Sequence, residues 1–157
     1  MNHQQHEQQQ QQEPAKTACK ATGKGEDLMN WPVISSYSRA QAIEDGILVD
    51  VSETAREAGF KVPVAMTAAV WADCVEWTPA DNTRKRHCQD QAGRLWDVVW
   101  MAMQAAKRNA GAELRYTLHR VPREGMGMRA RLVALRMTIG PGDTAAPVIT
   151  IMLPSED

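Results

Sequence analysis

The chain has 157 residues, a formal net charge of −1 and 43% apolar residues, which is a one-domain length with a globular composition. No window approaches the ~18 uninterrupted apolar residues of a membrane span, and the N-terminus lacks the basic-then-apolar pattern of a secretory signal. Cys19, Cys74 and Cys88 form an odd set without export signals, so a reduced, cytoplasmic setting is expected.

The small net charge hides a segregation. Residues 1–83 carry 6 Lys/Arg and 12 Asp/Glu, residues 84–136 carry 12 and 4, and residues 137–157 carry 3 acidic and no basic residues. Such asymmetry points to an anionic partner. The competing expectation is that the two halves neutralise each other across a solvated surface.

Residues 1–30 are Gln-rich and almost free of apolar side chains, so they are expected to be a disordered tail. Its His3 and His6 do not make a metal site. The folded part is expected over 31–157, opening with Trp31-Pro32, where Trp31 is the tryptophan most available to a partner.

Ile34 to Phe60 is the densest run of local signals. Ser38 and Gln41 have capping-box spacing, and Gly46 supplies a left-handed stop. Ile47 to Val51 reads as a short strand interrupted by Asp50. Ser52 reads as a second N-cap, Glu53 favours the first helical turn, and Gly59 closes that helix. A helix, a strand and a helix follow in 27 residues.

Lys61 to Met66 reads as a strand that Pro63 confines to an edge or to a strand's beginning. Thr67 caps a helix over Ala68 to Trp77, with Val70, Trp71, Cys74, Val75 and Trp77 as its apolar stripe. Ala80 to Gly93 is polar and aperiodic, so a long loop is expected. Arg94 to Asn109 gives the longest helix, with Trp96, Val99, Trp100 and Met103 facing the core and Lys107 and Arg108 at its C-terminal dipole.

Glu113–Val121, Arg131–Ile139 and Pro147–Leu153 then alternate in steps of two, separated by turn-rich PREGMGM and GPGDTAA. They read as an antiparallel meander. Its apolar face carries Leu114, Tyr116, Leu118, Val133, Leu135, Met137, Ile139, Ile149, Ile151 and Leu153. Its polar face carries Arg115, Thr117, His119, Arg136, Thr138 and Thr150. The Trp-bearing helices are the expected cover, so the fold class is α+β.

Sites follow from residue type. Cys74, His87 and Cys88 lack the paired short spacing of a zinc site, and Cys74 falls on an apolar stripe. No P-loop, GxGxxG, HExxH or GxSxG is present, and no cofactor or metal is expected. Asp50 needs a partner, Arg39 or Arg56, if it is buried. The stronger lead is basic: Arg84, Lys85 and Arg86 in the long loop, Lys107 and Arg108 at the helix end, and Arg115, His119 and Arg136 on the sheet. Such residues suit phosphates or an acidic protein surface.

ISSYSRAQAIEDGILVDVSETAREAGF, TAAVWADCVEW, QDQAGRLWDVVWMA and the ending IGPGDTAAPVITIMLPSED resemble a domain-of-unknown-function family carried on bacterial plasmids, integrative elements and phages. The resemblance covers about residues 33–157 and implies a bacterial cytoplasm and a mobile element. The expected function is therefore an accessory binding protein for transfer, maintenance or defence evasion. One alternative is a nucleotide-cofactor transferase using Tyr37, Arg39, Gln41 and Asp50. Another is a structural homodimer joined through Trp31 or an apolar sheet edge.

Overall fold

A computed structural model describes residues 37–156, so the Gln-rich tail and Trp31 lie outside the described residues. The first element is α1 (Arg39–Glu44). Its capping box is complete: Ser38 Oγ accepts from the Gln41 N–H at 3.1 Å, and Gln41 Oε1 accepts from the Ser38 N–H at 2.9 Å. Asp143 adds a second cap from far along the chain, accepting from the Arg39 and Ala40 N–H groups at 2.7 and 2.9 Å. Gly46, at φ 73°, turns the chain into β1 (Leu48–Asp50).

The next helix, α2 (Ser52–Ala58), corrects one expectation. Ser52 is its first residue rather than its cap. Both the N–H and the hydroxyl of Ser52 donate to Asp50 Oδ1, at 3.0 and 2.5 Å, so Asp50 satisfies the helix start. Strand β2 (Val64–Thr67) begins just after Pro63, where the missing N–H costs no ladder bond. It lies inside the sheet and not at an edge.

Thr67 caps α3 (Ala68–Val70), its hydroxyl accepting from the Val70 N–H at 3.3 Å. The expected helix to Trp77 does not stay α. Trp71–Val75 forms a π-helical stretch, closed by the Glu76 N–H donating to Trp71 O at 2.8 Å. This places Cys74 and Val75 in the core.

The long loop expected over Ala80–Gly93 is instead mostly helical: Pro79–Lys85 is α4, and α5 (Gln91–Arg108) starts at Gln91. The reason is local. Asp81 reaches back to the Thr78 N–H and hydroxyl at 2.9 and 2.8 Å, and Pro79 occupies the first helical position, where no donor is lost. Asp90 caps α5 by accepting from the Gly93 N–H at 2.7 Å.

Helix α5 buries Val98, Val99, Ala102 and Met103. Trp96 and Trp100, expected in the core, are 37% and 39% exposed and stack on each other with ring centroids 5.7 Å apart. Val98 and Val99 are both buried, which turns the stripe away from the two tryptophans.

The meander forms as expected from β3 (Glu113–Arg120), β4 (Arg131–Pro141) and β5 (Pro147–Met152). Tyr116 faces Leu135, and Met137 faces Leu114 on one side and Ile151 on the other. The sheet has five strands in the order β1-β2-β5-β4-β3. Strand β2 pairs parallel to β5, with Val64, Ala65 and Met66 opposite Ile149, Thr150 and Ile151. The architecture is α+β.

One sheet face meets α2, the π-helical stretch and α5, burying Val64, Met66, Leu135 and Ile151 completely. Ile139, expected on this face, is 42% exposed because it sits beside Ala106 and Asn109, where α5 ends. The opposite face carries the row Asp50, Ala65, Thr150, Thr138, Glu113 and the row Met152, Arg136, Arg115. Arg39 lies on this open face, donating to Thr150 Oγ1 at 2.8 Å and Ile149 O at 2.9 Å.

Leu135 sits at the centre of this packing with no exposed surface, while Met126 is 90% exposed. Leu135→Ala is expected to lose about 2–5 kcal/mol of unfolding free energy in a urea titration. Met126→Ala should change it by about 0.5 kcal/mol or less.

Candidate functional site

The basic half is organised around the end of α4 and the connection between β3 and β4, residues 121–130. Lys85 is buried, 1% exposed. Its ammonium donates to Glu124 O at 3.2 Å, Gly125 O at 2.7 Å and Gly127 O at 3.0 Å. Three acceptors match the three donors of an ammonium group. Burial pulls its pKa below the ordinary lysine value, with Arg84 adding to the effect and Asp81 and Glu124 opposing it.

Asp81 supports the same corner. Its buried carboxylate accepts from Thr78, from Arg84 at 2.5 Å and from Arg123 Nε at 3.1 Å. Burial alone would raise its pKa. The bonds from Thr78, Arg123 and Arg84 outweigh that and hold the carboxyl well below the usual carboxylate range. Arg123 also pairs with Glu76 at 2.7 Å. His87 Nε2 donates to Met128 O at 2.5 Å, so α4 and His87, two residues beyond it, hold the connection at both ends.

The expectation of Arg84, Lys85 and Arg86 as one exposed basic loop is therefore corrected. Lys85 is an internal clamp. Arg84 is engaged with Asp81 and with Arg123 O at 2.8 Å. Arg86 is exposed at the α4 C-cap with φ 54°, a left-handed conformation that costs a non-glycine residue about 1–2 kcal/mol. Its side chain makes no hydrogen bond or ion pair among the described residues, and neither do the exposed side chains of Arg129 and Arg131. Beside them, Met126 and Met128 line a shallow cavity of about 210 Å³ with Arg84, Arg86 and Gly125.

The other predicted residues fall elsewhere. Arg115 and Arg136 are cross-strand neighbours on the open face, and His119 lies further along β3 on the same face. Arg136 is held by Glu156 O, by Met152 Sδ at 3.0 Å and by Glu113 at 3.9 Å. Lys107 and Arg108 end α5, which residues 109–112 join to the start of β3, whereas the Lys85 corner adjoins its finish. Lys107 Nζ lies 5.8 Å from the Trp100 ring centroid. The eight candidates thus form separate groups.

Tyr37, Arg39 and Asp50 do not converge on one point. The Tyr37 hydroxyl donates to Asp45 Oδ2 at 2.7 Å, and that bond raises its pKa. Arg39 is engaged with Thr150 and Ile149. Burial lowers its pKa, while the carboxylates of Asp50 and Asp143 act in the opposite direction. Asp50 accepts from Ser52. Cys74 is in the core, and burial, reinforced by Asp73, pushes its thiol up to about 11. No group of three or more His, Cys, Asp or Glu ligands comes together among the described residues.

Sequence reasoning missed two internal cations. Arg120 grips both carboxylate oxygens of Asp73, with Nε 3.0 Å from Oδ2. Arg94 lies over Trp77 at 4.5 Å and donates to Gln89 Oε1 at 2.8 Å and Val121 O at 3.2 Å. Its burial was readable from spacing, because Arg94, Val98 and Ala102 share one helical stripe.

These features define an α+β domain with helices over one sheet face and an arginine-lined, internally clamped connection as its candidate binding surface. The chain belongs to a family described as a family of unknown function (DUF6573), which it matches over residues 28–157. No curated protein and no solved structure matches it. No helix of the described residues is long and apolar enough to cross a membrane.

Lys85→Met should speed amide exchange across residues 122–130 while Arg86→Ala leaves it unchanged, as read by hydrogen-exchange mass spectrometry. Asp81 has a folded pKa below its unfolded value of about 3.9. Its contribution is therefore complete above that value and is lost as pH falls towards the folded one. Thermal melts should show a smaller drop between about pH 5 and pH 3 for Asp81→Asn than for wild type.

Proposed function

We propose that the protein is an accessory binding protein of a bacterial mobile element, acting in the cytoplasm through the arginine-lined end of the domain on nucleic acid. The observation that carries this reading is the contrast within the basic half. Lys85, Arg94, Arg120 and Arg123 are held by internal partners, whereas the side chains of Arg86, Arg129 and Arg131 are exposed and make no hydrogen bond or ion pair among the described residues. Holding Arg86 in a strained left-handed cap, where glycine would be cheaper, fits a side chain kept for contact. Guanidinium groups at a surface take phosphate oxygens bidentately, and the resulting affinity is salt-dependent and sequence-tolerant.

An acidic protein surface would engage the same three arginines. A pull-down from the host with and without nuclease separates the two, because a protein partner survives nuclease treatment. The transferase reading draws less support: Tyr37 is held protonated by Asp45, and Arg39 is already engaged. A thermal-shift screen against nucleotides that raised the melting temperature would revive it.

The triple variant Arg86→Ala/Arg129→Ala/Arg131→Ala, which keeps Lys85, should fold as wild type. In fluorescence anisotropy with a labelled duplex and a labelled single strand, it should bind more weakly. Its log–log salt slope should flatten by about 0.7–0.9 for each phosphate contact removed. Unchanged affinity and slope would remove the electrostatic account.

A further inference from the structure

We infer that the outer edge of β3 joins two copies of this chain into a two-fold dimer with a continuous sheet. β3 is the outermost strand, eight residues long, and no strand pairs with its outer side among the described residues. The other edge strand, β1, has only three residues. A long open edge is a template for strand addition.

The register identifies which groups are offered. The Ile139 N–H donates to Ala112 O at 2.8 Å, so even-numbered residues of the segment exchange bonds with β4. The odd-numbered residues Glu113, Arg115, Thr117 and His119 therefore turn their N–H and C=O groups outward, and their side chains lie on the open face. Antiparallel pairing of β3 with itself must match odd residues with odd residues. Centred on Tyr116, it sets Glu113 against His119 of the second copy, Arg115 against Thr117 of the second copy, and the reverse of each. All four outward residues are then paired. Centring on Thr117 leaves Glu113 out and brings Arg115 against His119 of the second copy. Centring on Arg115 brings the two arginines together. The Tyr116-centred register alone gives full pairing with a carboxylate facing an imidazole and no like charges opposed.

The surroundings of the edge favour the same occupant. A groove of about 400 Å³ wraps the strand, with Trp100 and Met101 from α5 on one side and His119 and Leu132 on the other. Trp100, Met101 and Leu132 are all exposed. Tyr116 marks the centre of the register, and its hydroxyl donates to Val98 O of α5 at 3.3 Å. The two-fold axis therefore lies beside the middle of that helix. A second copy brings its own Trp100 and Met101 to the same place, so each exposed aromatic meets an equivalent apolar stripe. An unrelated extended peptide would pair with the backbone but would not supply that stripe.

The test is the solution mass of the full chain by sedimentation equilibrium across a dilution series. Wild type is expected at twice 17.4 kDa. Thr117→Pro removes an outward N–H that β4 does not use, and proline is tolerated at such an edge position. Trp100→Glu places a charge on an exposed site. Both should sediment at 17.4 kDa with unchanged circular dichroism. Glu113→Arg should also weaken the dimer, and Glu113→Arg/His119→Glu should restore it. A wild-type monomer at the highest soluble concentration overturns the inference. So does a dimer that survives Trp100→Glu, or a folded Thr117→Pro variant that remains a dimer.

Discussion

The structure depends on covering one apolar sheet face with a single long helix. Val98, Val99, Ala102 and Met103 of α5 meet Tyr116, Leu118 and Leu135, and the same helix touches α2 and the π-helical stretch. A sheet with only one buried face favours alternating side chains, as β3 shows and as β4 shows from Leu135 to Thr138. The cover also decides where polar residues can lie. Arg94 and Asp73 fall at the margin of the helix layer, where guanidinium groups reach carbonyl or carboxylate oxygens. Arg115, His119 and Thr117 fall on the opposite face, away from α5.

The corner held by Lys85 and Asp81 is a charged cluster with a structural role. A buried ammonium without acceptors would be costly, and here three carbonyls of one loop supply them. The clamp fixes the backbone of 124–127, and that backbone positions Arg129 and Arg131 relative to Arg86. The internal cations thus shape the loop, and the exposed arginines lie beside it.

Much of this was legible locally. The Ser38–Gln41 box, the stops at Gly46 and Gly59, and the period-two runs of β3, β4 and β5 each follow from neighbours in sequence. The helix α4 was also written there, since Thr-Pro-Ala-Asp at 78–81 has a cap, a first-turn proline and a third-position carboxylate. The polar, aperiodic composition of Ala80 to Gly93 concealed it. The exposure of Trp96 and Trp100 was ambiguous, because α5 carries apolar side chains around most of its circumference. Lys85 could not have been recognised as internal from sequence, since its acceptors lie 39 to 42 positions away. The parallel pairing of β2 with β5 is equally nonlocal and leaves no trace in either strand's own pattern.

That pairing has a consequence for how the chain is made. Strand β2 (Val64–Thr67) emerges from the ribosome long before β5 (Pro147–Met152) exists to pair with it. Until then Val64 and Met66 have one neighbour strand instead of two, and β4 is likewise incomplete. The helices α1 and α2 can form early from their own caps, but the central sheet closes only once β5 has been made. Contacts between residues so distant in sequence slow folding. During translation the nascent protein exposes an unfinished sheet rather than a sequence of finished pieces.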